Sequence, residues 1–471
     1  MSESLDKKPS ESVAQPPGSW KAALRFVKLA KAPVERFLAI EASSGIILFA
    51  VALIAGCWVN SPWSASYEAL WHTVLGFNLG PWSFQRDLHF WINDGLMTIF
   101  FFVVGLEIRR EMHKGELSEL RRAALPLVAA LGGMAVPALI YASLNHTRIS
   151  STGWGVPMAT DIAFAVGVIA LLGKRVSPAL RILLLTLAVI DDIGAILVIA
   201  IFYSSGLSMW GFFVAGLGFG LIFILKKLGV RSPWGYLIPS LIAWAGTYSA
   251  GIHPTIAGVV IGLMTPVRAW FGSDNFIQIV EENVSEIKAK ANQDESQLIP
   301  RLDSVKVARR EAISPVERLL HSLHGWVAYG IMPLFALANA GVPLGNASFS
   351  GDGMYVFAGI TLGLVVGKPL GILLISWIAV KTKIASLPTG VHWSGVGVVG
   401  LSAGIGFTMA FFVGQLAFVP GPDLETAKLA ILSASVLAAL AAFGYGMLVL
   451  KPVDIEGAAR TMAEAESATH I

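Results

Sequence analysis

Five ionisable side chains, Asp94, Asp161, Asp191, Asp192 and Lys368, fall inside runs that are otherwise apolar. Asp191 and Asp192 are adjacent in LLLTLAVIDDIGAILVIAIFY, and neighbouring residues on a helix project about 100° apart, so the two carboxylates cannot face one partner equally. One can pair while the other faces a cavity. Lys368, in LGLVVGKPLGILL, is the one basic residue within such a run and lies too far from either end to snorkel. It needs a carboxylate partner, for which Asp191 or Asp192 is the natural candidate. Two close carboxylates in a low-dielectric site repel each other and titrate as a coupled pair. A hard cation such as sodium is held by oxygen ligands, and a carboxylate takes it only after losing its proton. Proton and metal ion then compete for the same oxygens, and competition combined with alternate exposure to two sides of a membrane suffices for exchange. A structural Asp–Lys network would use the same residues.

These groups matter only if apolar elements hold them at depth. Hydrophobic residues make up 55% of the 471-residue chain and charged residues 14%, against roughly 25% charged in a soluble domain; mean hydropathy is +0.68. A water-soluble globule is excluded. Apolar runs fit the ~20 helical residues that cross a hydrocarbon core and exceed the ~10-residue alternating strands of an outer-membrane barrel. A charged side chain at that depth costs at least about 2.5–3.5 kcal/mol, which makes each buried charge a functional hypothesis. The lone Cys57 excludes an intrachain disulfide framework and reads as a small buried hydrophobe. The net charge of +3 is no sign of a nucleic-acid partner, because the placement of the basic residues explains it better.

About twelve spans are expected, near 36–59, 87–108, 123–144, 156–173, 180–203, 208–225, 235–250, 254–270, 318–341, 355–380, 394–419 and 427–450. With a cytoplasmic N-terminus, Arg109, Arg110, Lys114, Arg121, Arg122, Lys226, Lys227, Arg231, Lys381 and Lys451 fall inside, and only Arg86, Arg148 and Lys428 fall outside. This is the positive-inside bias that orients helical membrane proteins, and it puts both termini in the cytoplasm. The organisation that follows is a polar tail (1–35), a membrane domain in two parts (36–271 and 316–452), a charged cytoplasmic loop (272–315) carrying at most a short amphipathic helix, and a C-terminal tail (453–471). The polar leader before Phe37 does not resemble a cleaved signal peptide.

Thr160 and Asp161 lie in GWGVPMATDIAFAVGVIALLG, a run short for a span and punctuated by Gly and Pro. That pattern reads as a discontinuous helix whose freed backbone groups line a cavity. GVGVVGLSAGIGFTMAFFVGQLAF, with Gly400, Ser402, Gly404, Gly406 and Thr408, reads as a second break, although tight packing of small residues explains it equally well. Interrupted segments in corresponding positions of two halves point to an inverted-repeat transporter. Asp161 is placed to neutralise the positive N-terminal ends of half-helices.

VGLEIRREM, ATDIAFAVGVIALLG, AVIDDIGAI, PLFALANAGV, GKPLGI and GIGFTMAFF, in this order, resemble the NhaA family of sodium/proton antiporters from about Phe37 to about Lys451. The resemblance implies an all-α membrane protein of about twelve transmembrane helices, with inverted repeats and two discontinuous helices crossing at mid-membrane. It implies electrogenic exchange of Na+ or Li+ for H+ across a bacterial cytoplasmic membrane without a cofactor, and a homodimer. It makes Asp192 the principal cation ligand and Asp191 the carboxylate that pairs with Lys368. Thr160 and Asp161 match the helix break, Asp94 an accessory position, and Glu107, Arg110, Glu111, His321 and His324 a pH-sensing mouth. Histidine suits such a switch because its charge changes near neutrality. The sequence departs from the family where Leu320 stands at an expected acidic position and where 272–315 is longer than the usual loop.

Other readings make different demands. An intramembrane aspartyl protease needs two aspartates on different helices, one in a Gly-x-Gly-Asp setting, which the sequence lacks. A retinal protein would pair a buried Lys with carboxylates but has seven spans. Within transporters the competitor is an antiporter for another monovalent cation such as K+, or an electroneutral exchanger.

Overall fold

The computed structural model describes residues 43–452 except residues 81, 205, 270, 290–297 and 346–350. The expected tails and the first residues of the first span lie outside the described residues. The chain is overwhelmingly helical: α1 (Ser43–Val59), α2 (Ser64–Trp71), α3 (Leu88–Lys114), α4 (Leu120–Asn145), α5 (Ile162–Leu171), α6 (Pro178–Phe202), α7 (Met209–Lys227), α8 (Leu237–Ser249), α9 (Thr255–Met264), α10 (Ser273–Ala289), α11 (Leu298–Ala312), α12 (Pro315–Asn339), α13 (Asp352–Lys381), α14 (Trp393–Ala403), α15 (Phe407–Ala417) and α16 (Pro422–Val449). Six of these are long and apolar enough to cross a membrane, nine if each bent pair counts as one span. Their starts carry recognisable signals. Ser177 accepts the Leu180 N–H ahead of Pro178, and Ser314 accepts the Glu317 N–H ahead of Pro315, so the orphan donors of a first turn are met where proline costs nothing.

Four features differ from the sequence expectation. Between α2 and α3 the chain forms a two-stranded antiparallel hairpin, β1 (Val74–Leu79) and β2 (Trp82–Asp87), with Val74 opposite Asp87. A search for span-length apolar runs passes over strands of six residues. The span expected at 254–270 contains only the ten-residue α9. Its end follows from Pro266, since the preceding Thr265 is extended (φ −66°, ψ 136°), as a residue before proline prefers to be. Within the charged segment 272–315 stand two helices of 17 and 15 residues, α10 and α11, instead of a loop with one short helix. They face each other through Ser304 Oγ donating to Asn283 Oδ1 at 2.9 Å and an Arg301–Glu286 ion pair. High charge density conceals the apolar repeat Phe276, Ile279, Val280 and Ile287 of the packed face. Cys57, expected to be buried, is exposed on α1.

The helices pack in two groups. One contains α4, α5, α6, α13, α14, α15 and α16; the other contains α1, α3, α7, α8, α9 and α12. They meet where α1 touches α5, α3 touches α6 and α12 touches α15. Inside the first group α4 and α13 approach backbone to backbone. A Cβ on Gly132 would lie 2.3 Å from the Gly371 carbonyl oxygen, so only glycine permits the contact. This approach seats Lys368, one turn before Gly371, in the interior of the group.

Candidate functional site

Two interrupted segments build the site. A 3-10 segment, Ile149–Met158, and α5 are joined through Ala159, Thr160 and Asp161 with a 44° bend. α14 and α15 are joined through Gly404, Ile405 and Gly406 with a 48° bend. The breaks touch, since the Asp161 N–H donates to the Ile405 carbonyl at 2.7 Å. Backbone groups freed by a break inside an apolar bundle need partners, and side chains of the site stand beside two of the carbonyls. The Thr160 hydroxyl lies 3.1 Å from the Ala403 carbonyl, and the Lys368 ammonium donates to the Met158 carbonyl. Gly404 and Gly406 leave no room for side chains: a Cβ on Gly404 would meet the Leu364 carbonyl oxygen at 2.5 Å.

Asp161 serves both half-helices. Its Oδ1 accepts the Phe164 N–H of α5 at 3.0 Å, while Oδ2 accepts the Thr408 N–H of α15 at 3.1 Å and the Thr408 hydroxyl at 2.5 Å. One buried carboxylate thus sits at two helix N-termini, where the backbone dipoles favour negative charge. Thr408, noted in the sequence within the second interrupted segment, opens α15 much as Thr160 precedes α5, and its contact with Asp161 is what the sequence did not disclose. Replacing it by valine keeps the shape and removes the hydroxyl donor, a change worth about 1–3 kcal/mol for a buried acceptor. Thr408→Val is expected to lower the thermal midpoint of the purified protein and slow cation-dependent proton movement in vesicles. Equal values for variant and parent in both assays would show that the hydroxyl is idle.

α6 crosses beside the breaks with Asp191 and Asp192 at mid-helix, 1% and 2% exposed. Lys368 Nζ lies 3.1 Å from Asp191 Oδ2 with both side chains fully buried, and 2.5 Å from Thr160 Oγ1. The Thr160 hydroxyl donates to the same Asp191 Oδ2 at 2.7 Å. Of the two carboxylates left open by the sequence, the ammonium meets Asp191. The opposite sides of the pair are bare: Asp191 Oδ1 and Asp192 Oδ2 are buried and have no hydrogen-bond partner among the described residues. Unmet carboxylate oxygens in a water-poor interior are costly, and they are the donor type that holds a proton or a hard monovalent cation. Among the described residues no group of three His, Cys, Asp or Glu forms a resident metal centre.

The remaining positions lie elsewhere. Asp94, in a π-helical turn of α3, has Oδ1 3.3 Å from His253 Nε2, and its backbone carbonyl accepts from Trp244 Nε1 at 3.2 Å. It borders an open hollow of about 600 Å³ lined also by Arg86, Asp87, Tyr248 and His253. His253 has no signature in sequence; only the packing of α9 on α3 brings it there. Glu107 is half-buried near the far end of α3, and Arg110 pairs with Glu111 at 3.4 Å. His321 and His324 are exposed on α12, and among the described residues no hydrogen bond or ion pair joins either to Glu107, Arg110 or Glu111.

Comparison with known proteins identifies the family of the chain. The model of the family described as Na+/H+ antiporter 1 matches residues 35–448. The chain belongs to that family. It is 54% identical over 457 residues to the Na+/H+ antiporter NhaA 2 of Sorangium cellulosum (strain So ce56), covering 96% of this chain and 98% of the relative. The corresponding protein of Myxococcus xanthus (strain DK1622) is 53% identical, covering 98% of each chain. The Na+/H+ antiporter NhaA of Bordetella petrii is 46% identical over 94% of this chain and 96% of its own length. Within this family member the paired breaks, the Asp191–Lys368 contact and the two unpartnered oxygens form one continuous cluster.

Proposed function

We propose that this chain is a secondary transporter that exchanges Na+, or Li+, for protons across the bacterial cytoplasmic membrane. The observation that carries the reading is the pair of adjacent buried carboxylates with oxygens that meet no donor among the described residues, Asp191 Oδ1 and Asp192 Oδ2. Membership of a family named for Na+/H+ antiport supports it. Asp192 is the principal ligand of the transported cation. Asp191 assists while Lys368 and Thr160 hold its other oxygen. Asp161 compensates the half-helix ends, which cross at mid-membrane within inverted repeats of a twelve-span fold that has both termini in the cytoplasm.

In this cycle sodium enters from the cytoplasm and displaces protons from Asp192 and its neighbour. The two helix groups rock against each other, sodium leaves on the far side, and protons rebind before the site returns. Exchange of more than one proton per cation makes transport electrogenic. Glu107, Arg110, Glu111, His321 and His324 regulate it by pH from the cytoplasmic end, Asp94 is an accessory group, and the protein works as a homodimer without a cofactor.

The test is proton movement in inverted vesicles carrying a pre-formed pH gradient. Sodium and lithium are expected to dissipate the gradient, and potassium to leave it intact. Dissipation by potassium would select the competing antiporter reading, and no response to any cation at any pH would remove antiport.

A further inference from the structure

Asn93, Asn339 and Gln415 form a closed ring of carboxamides that the cation chemistry does not use. Asn93 Nδ2 donates to Gln415 Oε1 at 2.8 Å, Gln415 Nε2 donates to Asn339 Oδ1, and Asn339 Nδ2 donates to Asn93 Oδ1 at 2.9 Å. His89 Nε2 stands 2.9 Å from Asn339 Oδ1. Every amide both donates and accepts within the ring, and Asn93 Nδ2 also lies 3.5 Å from Asn339 Oδ1, so the oxygens are occupied and the ring is a fastening rather than a cation site. The ring straddles the seam between the helix groups, with Asn93 on α3 and Asn339 on α12 facing Gln415 on α15. Only the two bonds to Gln415 cross that seam.

One turn deeper the same seam is closed by rings. Thr408, Phe412 and Gln415 follow at helical spacing on α15, as do Asn93, Met97 and Phe101 on α3, so each set lies on one face. The Phe412 ring centre is 5.2 Å from that of Phe101, 6.3 Å from that of Phe335 and 5.2 Å from that of His253. Phe101, Phe335 and Phe412 are buried. Outward from the Asp161–Thr408 clamp there is first the aromatic layer and then the amide ring, at the helix ends beside the β-hairpin.

We infer that these two layers are the gate between the buried carboxylates and the hairpin side of the membrane, with Gln415 as its latch. The inference rests on the antiport reading, because a gate has work only if the helix groups move against each other. The aromatic layer excludes water and ions. The amide bonds hold it shut, and because both crossing bonds are made by the one Gln415 side chain, a movement of that side chain releases them together.

The test uses Met97→Cys in a Cys57→Ser background, which puts a single thiol between the layers at a position without exposed surface. A membrane-impermeant maleimide is applied to each side of sealed vesicles in turn, and cation-dependent proton movement is read in the same preparations. Adding Gln415→Met is expected to raise labelling from the hairpin side about tenfold, a population shift of about 1.4 kcal/mol, with no rise from the other side. Where Gln415→Met does not reach the membrane, Asn93→Leu removes the other half of one crossing bond and must give a rise of the same sidedness. Labelling at the parental rate, in a variant that still exchanges cations, overturns the gate and leaves antiport standing. Absence of exchange in the parent chain overturns both.

Discussion

Asp192→Asn is expected to reduce sodium-driven proton movement to the level of vesicles lacking the protein, at every pH and sodium concentration. The amide nearly matches the carboxylate in volume, so a helix that holds residue 192 at 2% exposure accepts it without a cavity. What disappears is the charge that binds sodium and the oxygen that trades sodium for a proton. A mere shift of the half-saturating sodium concentration would mean that Asp191 carries the exchange with Asp192 as helper. An unchanged rate would take Asp192 out of the mechanism. Thermal unfolding of the purified variant separates lost chemistry from lost protein: the midpoint should match or exceed the parent's, since a buried charge without a hydrogen-bond partner at Oδ2 has been removed.

The second large effect is expected at Lys368, and there the sign on stability reverses. Its ammonium meets Asp191 Oδ2, Thr160 Oγ1 and the Met158 carbonyl together. Lys368→Ala therefore leaves a buried carboxylate and a helix-break carbonyl without their donor, and breaking such a pair from one side costs about 3–5 kcal/mol. The thermal midpoint in detergent should fall clearly. The double variant Lys368→Met with Asp191→Asn should recover much of the loss, because removing both charges also removes the uncompensated one. Charge movement per sodium in proteoliposomes decides the role of the lysine. An unchanged ratio in Lys368→Ala marks it as a counter-charge, and a smaller ratio marks it as a proton carrier. A parental midpoint in Lys368→Ala would contradict the buried-pair account.

Much of this protein is written in local sequence. Membrane residence follows from composition, because an apolar chain of this length with so few charges can satisfy itself only in lipid. The buried charges are legible for the converse reason: a carboxylate among leucines and isoleucines is too costly to be there by default. The interruption at Thr160 and Asp161 is readable as well, since Gly153, Gly155 and Pro157 weaken a helix locally.

Other features come from residues far apart in the chain. Lys368 could have met either aspartate; the contact of Gly132 with Gly371 and the π-helical turn Gly363–Gly367 direct it to Asp191. Whether the glycines of 400–406 meant a break or mere close packing was open in sequence; in the structure the chain bends by 48° where Gly404 lies against Leu364. The two helices within 272–315 were hidden because surface charge outweighs a narrow apolar stripe. The role of Thr408 at Asp161 depends on contact across more than 240 intervening residues, as does the ring of Asn93, Asn339 and Gln415. Asparagine, glutamine and threonine carry no net charge, so the desolvation penalty that marks out a buried carboxylate or ammonium is much smaller for them. The medium, the buried charges and the weak points of the backbone are legible along the chain because they depend on near neighbours and solvent. Which charge is paired and which oxygens stay open depend on which helices pack together, and only the folded arrangement shows them.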